Sequence, residues 1–186
     1  MRKLKLQIQT TLDGYVARLN GDTDWMSFTP DEELITFLNA VIDSSDTILL
    51  GRKMAEGFIK HWEGALIKNS ATPFAKQMVN TPKIVFSKTL EKSMWNNTIL
   101  ATGNLAEEIN KLKKQNGKDI IVYGGADFVS SLINEGLIDE YYLIINPVAI
   151  GSGMTIFDSS ITSLKFIPVQ SKLFSGGKTV LILKPV

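Results

Sequence analysis

The chain has 186 residues, with 20 Lys or Arg, 19 Asp or Glu, no Cys and a single His, His61. The net charge of +1 argues against a nucleic-acid partner, which a basic excess or stripe would announce. The lack of cysteine removes disulfide scaffolds, zinc-thiolate sites, iron–sulfur clusters and thiol nucleophiles, and one histidine removes a multi-histidine metal centre. No stretch approaches the ~18 consecutive apolar residues of a membrane span, and the N-terminus lacks the apolar core of a signal peptide. The expectation is a soluble cytoplasmic protein with no metal and no membrane partner. At about 150 residues per domain, it should fold as a single domain over 1–186.

Leu4-Lys5-Leu6-Gln7-Ile8-Gln9 alternates strictly, the period of a half-buried strand, and runs into the turn Thr11-Leu12-Asp13-Gly14. Thr29-Pro30-Asp31-Glu32 predicts a helix start, with Thr29 as N-cap and Pro30 at N1, and the helix should end near Asp43. Thr47-Ile48-Leu49-Leu50 is a buried-strand run closed by Gly51-Arg52, and a helix should follow over Lys53 to His61. Thr72-Pro73 opens a short helix through Val79; Lys83 to Ser87 and Thr98 to Leu100 read as strands. Asn104 is placed to cap a helix with Glu107 at N3 and Gly117 beyond its end. Ile120 to Tyr123 is again a buried strand, followed by Gly124-Gly125 and a helix that Gly136 stops. Glu140 to Asn146 is a strand ended by Pro147, and Gly151-Ser152-Gly153 a flexible loop. Two last strands flank the hairpin turn Ser175-Gly176-Gly177. Strand–helix alternation with a terminal hairpin implies an α/β fold. Its mixed central sheet should carry helices on both faces and a C-terminal antiparallel hairpin.

Two strand-to-helix junctions could carry chemistry: Leu50-Gly51-Arg52-Lys53 and Tyr123-Gly124-Gly125-Ala126. A buried strand that turns through Gly into a helix presents free N–H groups and a positive dipole end to an anion. Either junction alone is more often just a tight turn; two on one sheet edge would suit the two phosphates of a dinucleotide. Arg52, Lys53 and Lys88, after Ser87, would suit a phosphate monoester. No Rossmann fingerprint and no P-loop is present. His61, beside Trp62, reads as structural, and no Ser-His-Asp arrangement is credible.

These junctions, in this order, resemble the dihydrofolate-reductase-like superfamily. The likeness is greatest to its riboflavin-biosynthesis branch: the C-terminal reductase domain of the bifunctional deaminase/reductase, and its free-standing relatives. Thr11-Leu12-Asp13-Gly14 is similar to the branch's turn after the first strand, and Gly21-Asp22-Thr23-Asp24-Trp25 to a segment of its free-standing members. Gly136-Leu137-Ile138-Asp139-Glu140, Pro147 and Gly151-Ser152-Gly153 match its C-terminal pattern. The resemblance implies that Gly51, Arg52 and Lys53 meet the cofactor's phosphates. It places Ser87 and Lys88 by the adenosine ribose and its 2′-phosphate, and Gly124, Gly125 and Ala126 against the pyrophosphate. Met54 and Tyr142-Leu143-Ile144-Ile145 stand where folate-reducing members carry Thr, which points away from dihydrofolate.

The reading is an NADPH-dependent reductase that passes a hydride to a small pyrimidine- or pterin-like heterocycle. Its reaction would resemble that of 5-amino-6-(5-phosphoribosylamino)uracil reductase or dihydrofolate reductase. Gln9, Thr11, Trp25 and Phe28 are the candidate substrate residues, and Glu33 or Asp31 the candidate proton relay, although acids in a first turn more often just complement the helix dipole. The alternative is a nucleotide-binding sensor or scaffold without turnover. A homodimer through the C-terminal strands is expected, since Tyr141 and Phe166 go beyond what one core needs and symmetric dimers are the commonest oligomers.

Overall fold

A computed structural model describes residues 1–26, 31–67, 72–93 and 95–186. The strands are β1 (Leu4–Thr11), β2 (Ser45–Gly51), β3 (Lys83–Phe86), β4 (Thr98–Ala101), β5 (Asp119–Val122), β6 (Glu140–Asn146), β7 (Phe166–Leu173) and β8 (Thr179–Pro185). The helices are α1 (Glu32–Asp43), α2 (Arg52–Ile67), α3 (Pro73–Asn80), α4 (Leu105–Lys113) and α5 (Ala126–Asn134). One eight-stranded sheet runs β4-β3-β2-β5-β1-β6-β8-β7. Its first six strands are parallel, and β8 and β7 are antiparallel to what precedes them. The expected α/β fold is therefore present, with its mixed sheet and terminal hairpin.

Helices cover both faces because the central strands are apolar on both. Leu49 of β2 and Ile120 and Val122 of β5 join the core beneath α4 and α5, while Ile48, Leu50 and Ile121 join the core beneath α1, α2 and α3. Sequence signals act locally as expected at α3 and α4: Thr72 accepts from the Ala75 N–H at 3.1 Å, and Asn104 from the Glu107 N–H at 3.1 Å.

Four expectations need correction. The first helix is capped by Asp31, whose side chain accepts from the Leu34 N–H at 2.9 Å, so the helix starts at Glu32; Thr29 and Pro30 lie outside the described residues. A buried Asp that reaches its own N3 N–H wins over Thr-Pro two residues upstream. Next, α2 runs on to Ile67, which leaves His61 in mid-helix rather than at an end. Finally, Tyr141 is 2% exposed and meets Phe166 edge-on at 4.9 Å between ring centroids, so both serve the chain's own core. The 151–153 loop is also tied down: Asp13 accepts from the Ile150 and Gly151 N–H groups at 3.0 and 2.8 Å.

Candidate nucleotide and substrate site

The connection after β2 leads away to β3, while that after β5 leads to β6 on the other side of the sheet. These two strands are neighbours, paired Leu49 to Val122. Such a divergence opens a crevice at the carboxyl ends of the strands, where ligands bind in open α/β sheets. Both glycine junctions meet there. Gly51 ends β2 and α2 begins at once with Arg52; Gly124 and Gly125 separate β5 from α5. Gly124 holds φ at +149°, a conformation that side-chain-bearing residues rarely adopt. Gly125 caps α5 without a side-chain hydrogen bond, leaving the first N–H groups of the helix to a ligand.

A cavity of about 1080 Å³ opens from these junctions and extends between the sheet and α1, α2 and α3. Gly51, Arg52, Lys53, Ser87, Lys88, Gly124, Gly125 and Ala126 all line it. Lys53 pairs with Asp127 at 2.9 Å, both well exposed, a contact worth little in stability. The Ser87 hydroxyl accepts from the Leu90 N–H at 2.9 Å and shapes the turn that presents Lys88. Deeper in, Phe58, Trp62 and Phe74 form an aromatic wall, with Tyr123 stacked on Phe58 at 5.7 Å. Leu38 and Ile144 close the far side.

Other candidates are placed differently. Gln9 lines the cavity, but its Oε1 accepts from Asn146 and Lys178, each at 3.2 Å. Thr11 is buried outside the lining; its hydroxyl donates to Asp13 at 2.5 Å and accepts from the Tyr15 N–H at 2.9 Å. Trp25 is buried and likewise does not line it, and Phe28 lies outside the described residues. Neither expected proton relay reaches the cavity. Asp31 caps α1 and also accepts from the Ser175 hydroxyl at 3.0 Å and the Gly176 N–H at 2.6 Å. Hydrogen bonds from the Leu34 and Gly176 amides hold its carboxyl below the usual range, the opposite of a poised acid. Glu33 is exposed and pairs with Lys172 at 2.7 Å.

The sequence reading passed over His61, Gln7 and Tyr123 as lining residues. His61 lines the cavity from the middle of α2. Gln7 was hidden by the alternation of β1, which reads as one solvated face, whereas Lys5 and Gln7 are both buried. A polar residue at the middle of a strand that is central in a parallel sheet was the available signal.

The RibD C-terminal domain family model matches residues 2–180, and the chain belongs to that family. The uncharacterised protein YyaP of Bacillus subtilis is 37% identical over 180 residues, covering 95% of this chain and 91% of YyaP. Two solved structures are similar across the whole chain. One is a Shewanella protein assigned to riboflavin biosynthesis, with TM-score 0.75, 23% identity and 99% of that chain covered. The other is the diaminohydroxyphosphoribosylaminopyrimidine deaminase/5-amino-6-(5-phosphoribosylamino)uracil reductase of Thermotoga maritima, with TM-score 0.66 and 19% identity; this chain spans 57% of it. At these identities the two structures bear on the fold. No helix among the described residues is long and apolar enough to cross a membrane.

Proposed function

We propose that the protein is an NADPH-dependent reductase acting on a small planar heterocycle. The observation that carries this is the meeting of two glycine junctions at the sheet's switch point, beside a cavity walled by aromatic rings. Its volume of about 1080 Å³ lies just above the ~300–1,000 Å³ usual for small-ligand sites. That leaves room for a dinucleotide and a second ring. Membership of the RibD C-terminal family supports the reductase reading.

The lining fits the cofactor. A Cβ built at Gly125 would meet only Met54, at 3.7 Å, so the ligand side of this turn is open. The α5 N-terminus there would receive the pyrophosphate, and Arg52 and Lys88 the 2′-phosphate. The bound cofactor would supply hydride. The chain would supply position, a cavity shielded from water by Phe58, Trp62 and Phe74, and the electrostatics of two helix ends.

A second reading is favoured by one observation. Asp127 is the only carboxylate among the described lining residues, and it is paired with Lys53. A site without a free carboxylate would also suit a nucleotide sensor that turns nothing over. Titration of the tryptophan fluorescence with NADPH, followed by absorbance at 340 nm with pyrimidine and pterin substrates, separates the two. Binding with oxidation supports the reductase, binding without oxidation supports the sensor, and no binding overturns both.

A further inference from the structure

We propose that the protein has a second binding site beside the nucleotide cavity, and that it takes a small apolar carboxylate whose anionic end meets Lys83. This goes beyond the reductase reading and does not depend on it.

A cavity of about 350 Å³ lies between α2, α3 and the segment that leads into β4. It sits at the other end of the strands from the nucleotide crevice. Lys83, in its wall, opens β3 level with Ile48, whereas Phe86 ends β3 level with Gly51. Ile59, Trp62, Met78 and Val79 give the cavity apolar walls. Trp62 and Met78 also line the nucleotide cavity, so they form the partition between the two. The mouth is held in place by Asn97, whose φ is +52°. Its Nδ2 donates to the Asn80 carbonyl at 2.7 Å, and its own carbonyl accepts from the Lys83 N–H at 3.0 Å.

The buried polar group of this wall is a lysine short of a partner. Lys83 is 3% exposed, and its ammonium donates to the Val79 and Thr81 carbonyls, each at 2.8 Å. Val79 lines the cavity too, which puts the charge at that wall. An ammonium has three donors, so one is left over, and no ion pair among the described residues includes Lys83. Other buried lysines are served differently. Lys113 donates to the Leu137 carbonyl at 2.7 Å and also pairs with Asp139 at 2.6 Å, and Lys5 pairs with Asp119 at 2.8 Å. Buried charges are as a rule paired, so a cation held by carbonyls alone calls for an anion.

The walls define the ligand. Glu63 of α2 lines the same cavity and is exposed; it acts on the Lys83 charge without forming an ion pair. The cavity thus keeps a buried cation apart from a carboxylate at the mouth. A ligand carboxylate at Lys83 gains a charge-assisted hydrogen bond. Ile59, Trp62 and Met78 then take an apolar body, and the volume lies within the ~300–1,000 Å³ of small-molecule sites. Glu63 repels a second negative charge, so the ligand carries one charge, at its inner end.

The test uses benzoate, benzamide and benzamidine, which share one shape and carry a negative charge, none and a positive charge at neutral pH. Each is titrated calorimetrically into the full chain. Benzoate should bind at least about tenfold more tightly than the other two, the effect of one charge-assisted hydrogen bond. Lys83→Met should weaken benzoate by about the same factor and leave benzamide unchanged. Glu63→Gln, at an exposed position, should tighten benzoate about two- to fivefold, the range of an exposed charge interaction. It carries the test if Lys83→Met does not fold. Arg52→Ala with Lys88→Ala removes two cations of the nucleotide cavity and should leave benzoate binding as it was. No benzoate binding at millimolar concentration, equal affinity for the three probes, or Lys83→Met that binds benzoate undiminished would each overturn the assignment. So would Glu63→Gln that binds benzoate no more tightly, or loss of benzoate in the Arg52 and Lys88 double variant.

Discussion

Gly51 and Phe128 lie so close that a Cβ on the glycine would stand 2.7 Å from the Cβ of Phe128. The end of β2 is thereby packed against the first turns of α5, and one glycine keeps the two junctions in contact. Phe128 cannot swing away, because the near atom is fixed to its backbone and its ring packs on Phe86 at 5.1 Å. Gly51→Ala should cost ~1–3 kcal/mol, the usual penalty for overpacking a filled interior. Urea unfolding would measure it, and a shift under ~0.5 kcal/mol would show that α5 yields freely.

Gly125 should behave in the opposite way. Its nearest neighbour to an added Cβ is Met54 at 3.7 Å, ordinary contact, and its φ of −44° lies outside the left-handed region that favours glycine. Gly125→Val is expected to fold and melt near the unmodified chain while losing NADPH and NADH affinity alike, because the side chain would fill the approach to the pyrophosphate both share. Thermal unfolding and fluorescence titration on the same sample check this; retained affinity for either nucleotide would place the pyrophosphate elsewhere.

The parallel order, the terminal hairpin and the two junctions were legible because each rests on short-range signals. Ile120 to Tyr123 is apolar on both sides and is followed by Gly-Gly; Asn104 and Thr72 cap as their spacing says. What was not legible depends on partners distant in sequence. Asp31 became a cap because the Ser175–Gly176 turn, far along the chain, also needed its carboxylate. Thr11 turned inward because Asp13, bound to its hydroxyl, holds the loop at Ile150 and Gly151. Lys5 and Gln7 read as solvated because alternation cannot show that β1 lies between β5 and β6 under α1.

Lys83, 3% exposed, donates to the Val79 and Thr81 carbonyls, each at 2.8 Å, and so closes the end of α3. Burial pushes its amine down to about 8 from the ordinary 10.5, opposed by Glu63. Between those values the unfolded chain binds more protons at this site than the folded one, so this site makes stability rise with pH. Compared with Lys83→Met, the unmodified protein should gain relative stability as pH is raised from about 8 to 10.5. Denaturation of both proteins at several pH values gives the difference; a flat or falling difference would contradict it.

Arg52 and Lys88 should set the choice of cofactor. Both line the cavity, and a 2′-phosphate carries close to two charges at neutral pH. A charge-assisted hydrogen bond contributes ~1.5–3 kcal/mol, roughly 10- to 150-fold in affinity. NADPH should bind more tightly than NADH, with a gap that narrows as salt is added. Arg52→Ala combined with Lys88→Ala should abolish most of the gap and leave NADH nearly unaffected. A double variant that keeps the preference would remove these residues from the 2′-phosphate site.

The last prediction concerns assembly. Tyr141 and Phe166 are consumed by the chain's own core, yet β7 stands at the end of the sheet with its outer edge unpaired among the described residues. It exposes Ile167 at 56%, Val169 at 52% and Leu173 at 71%. An open edge with apolar side chains invites strand pairing, which soluble proteins either block with charge or use. Here Lys172 is the charge on the strand, and it is turned back onto Glu33 and the Phe174 ring, 5.0 Å from its centroid. Pro168 and the bulge beside it blunt the middle of this edge, so the run from Gln170 to Leu173 is the part expected to pair with a second copy. Light scattering at micromolar concentration should give about twice the chain mass, and Val169→Lys with Leu173→Lys should return it to one chain without loss of NADPH binding. An unmodified protein that scatters at 20.6 kDa would exclude the dimer, and a doubly charged variant that remains paired would move the interface away from β7.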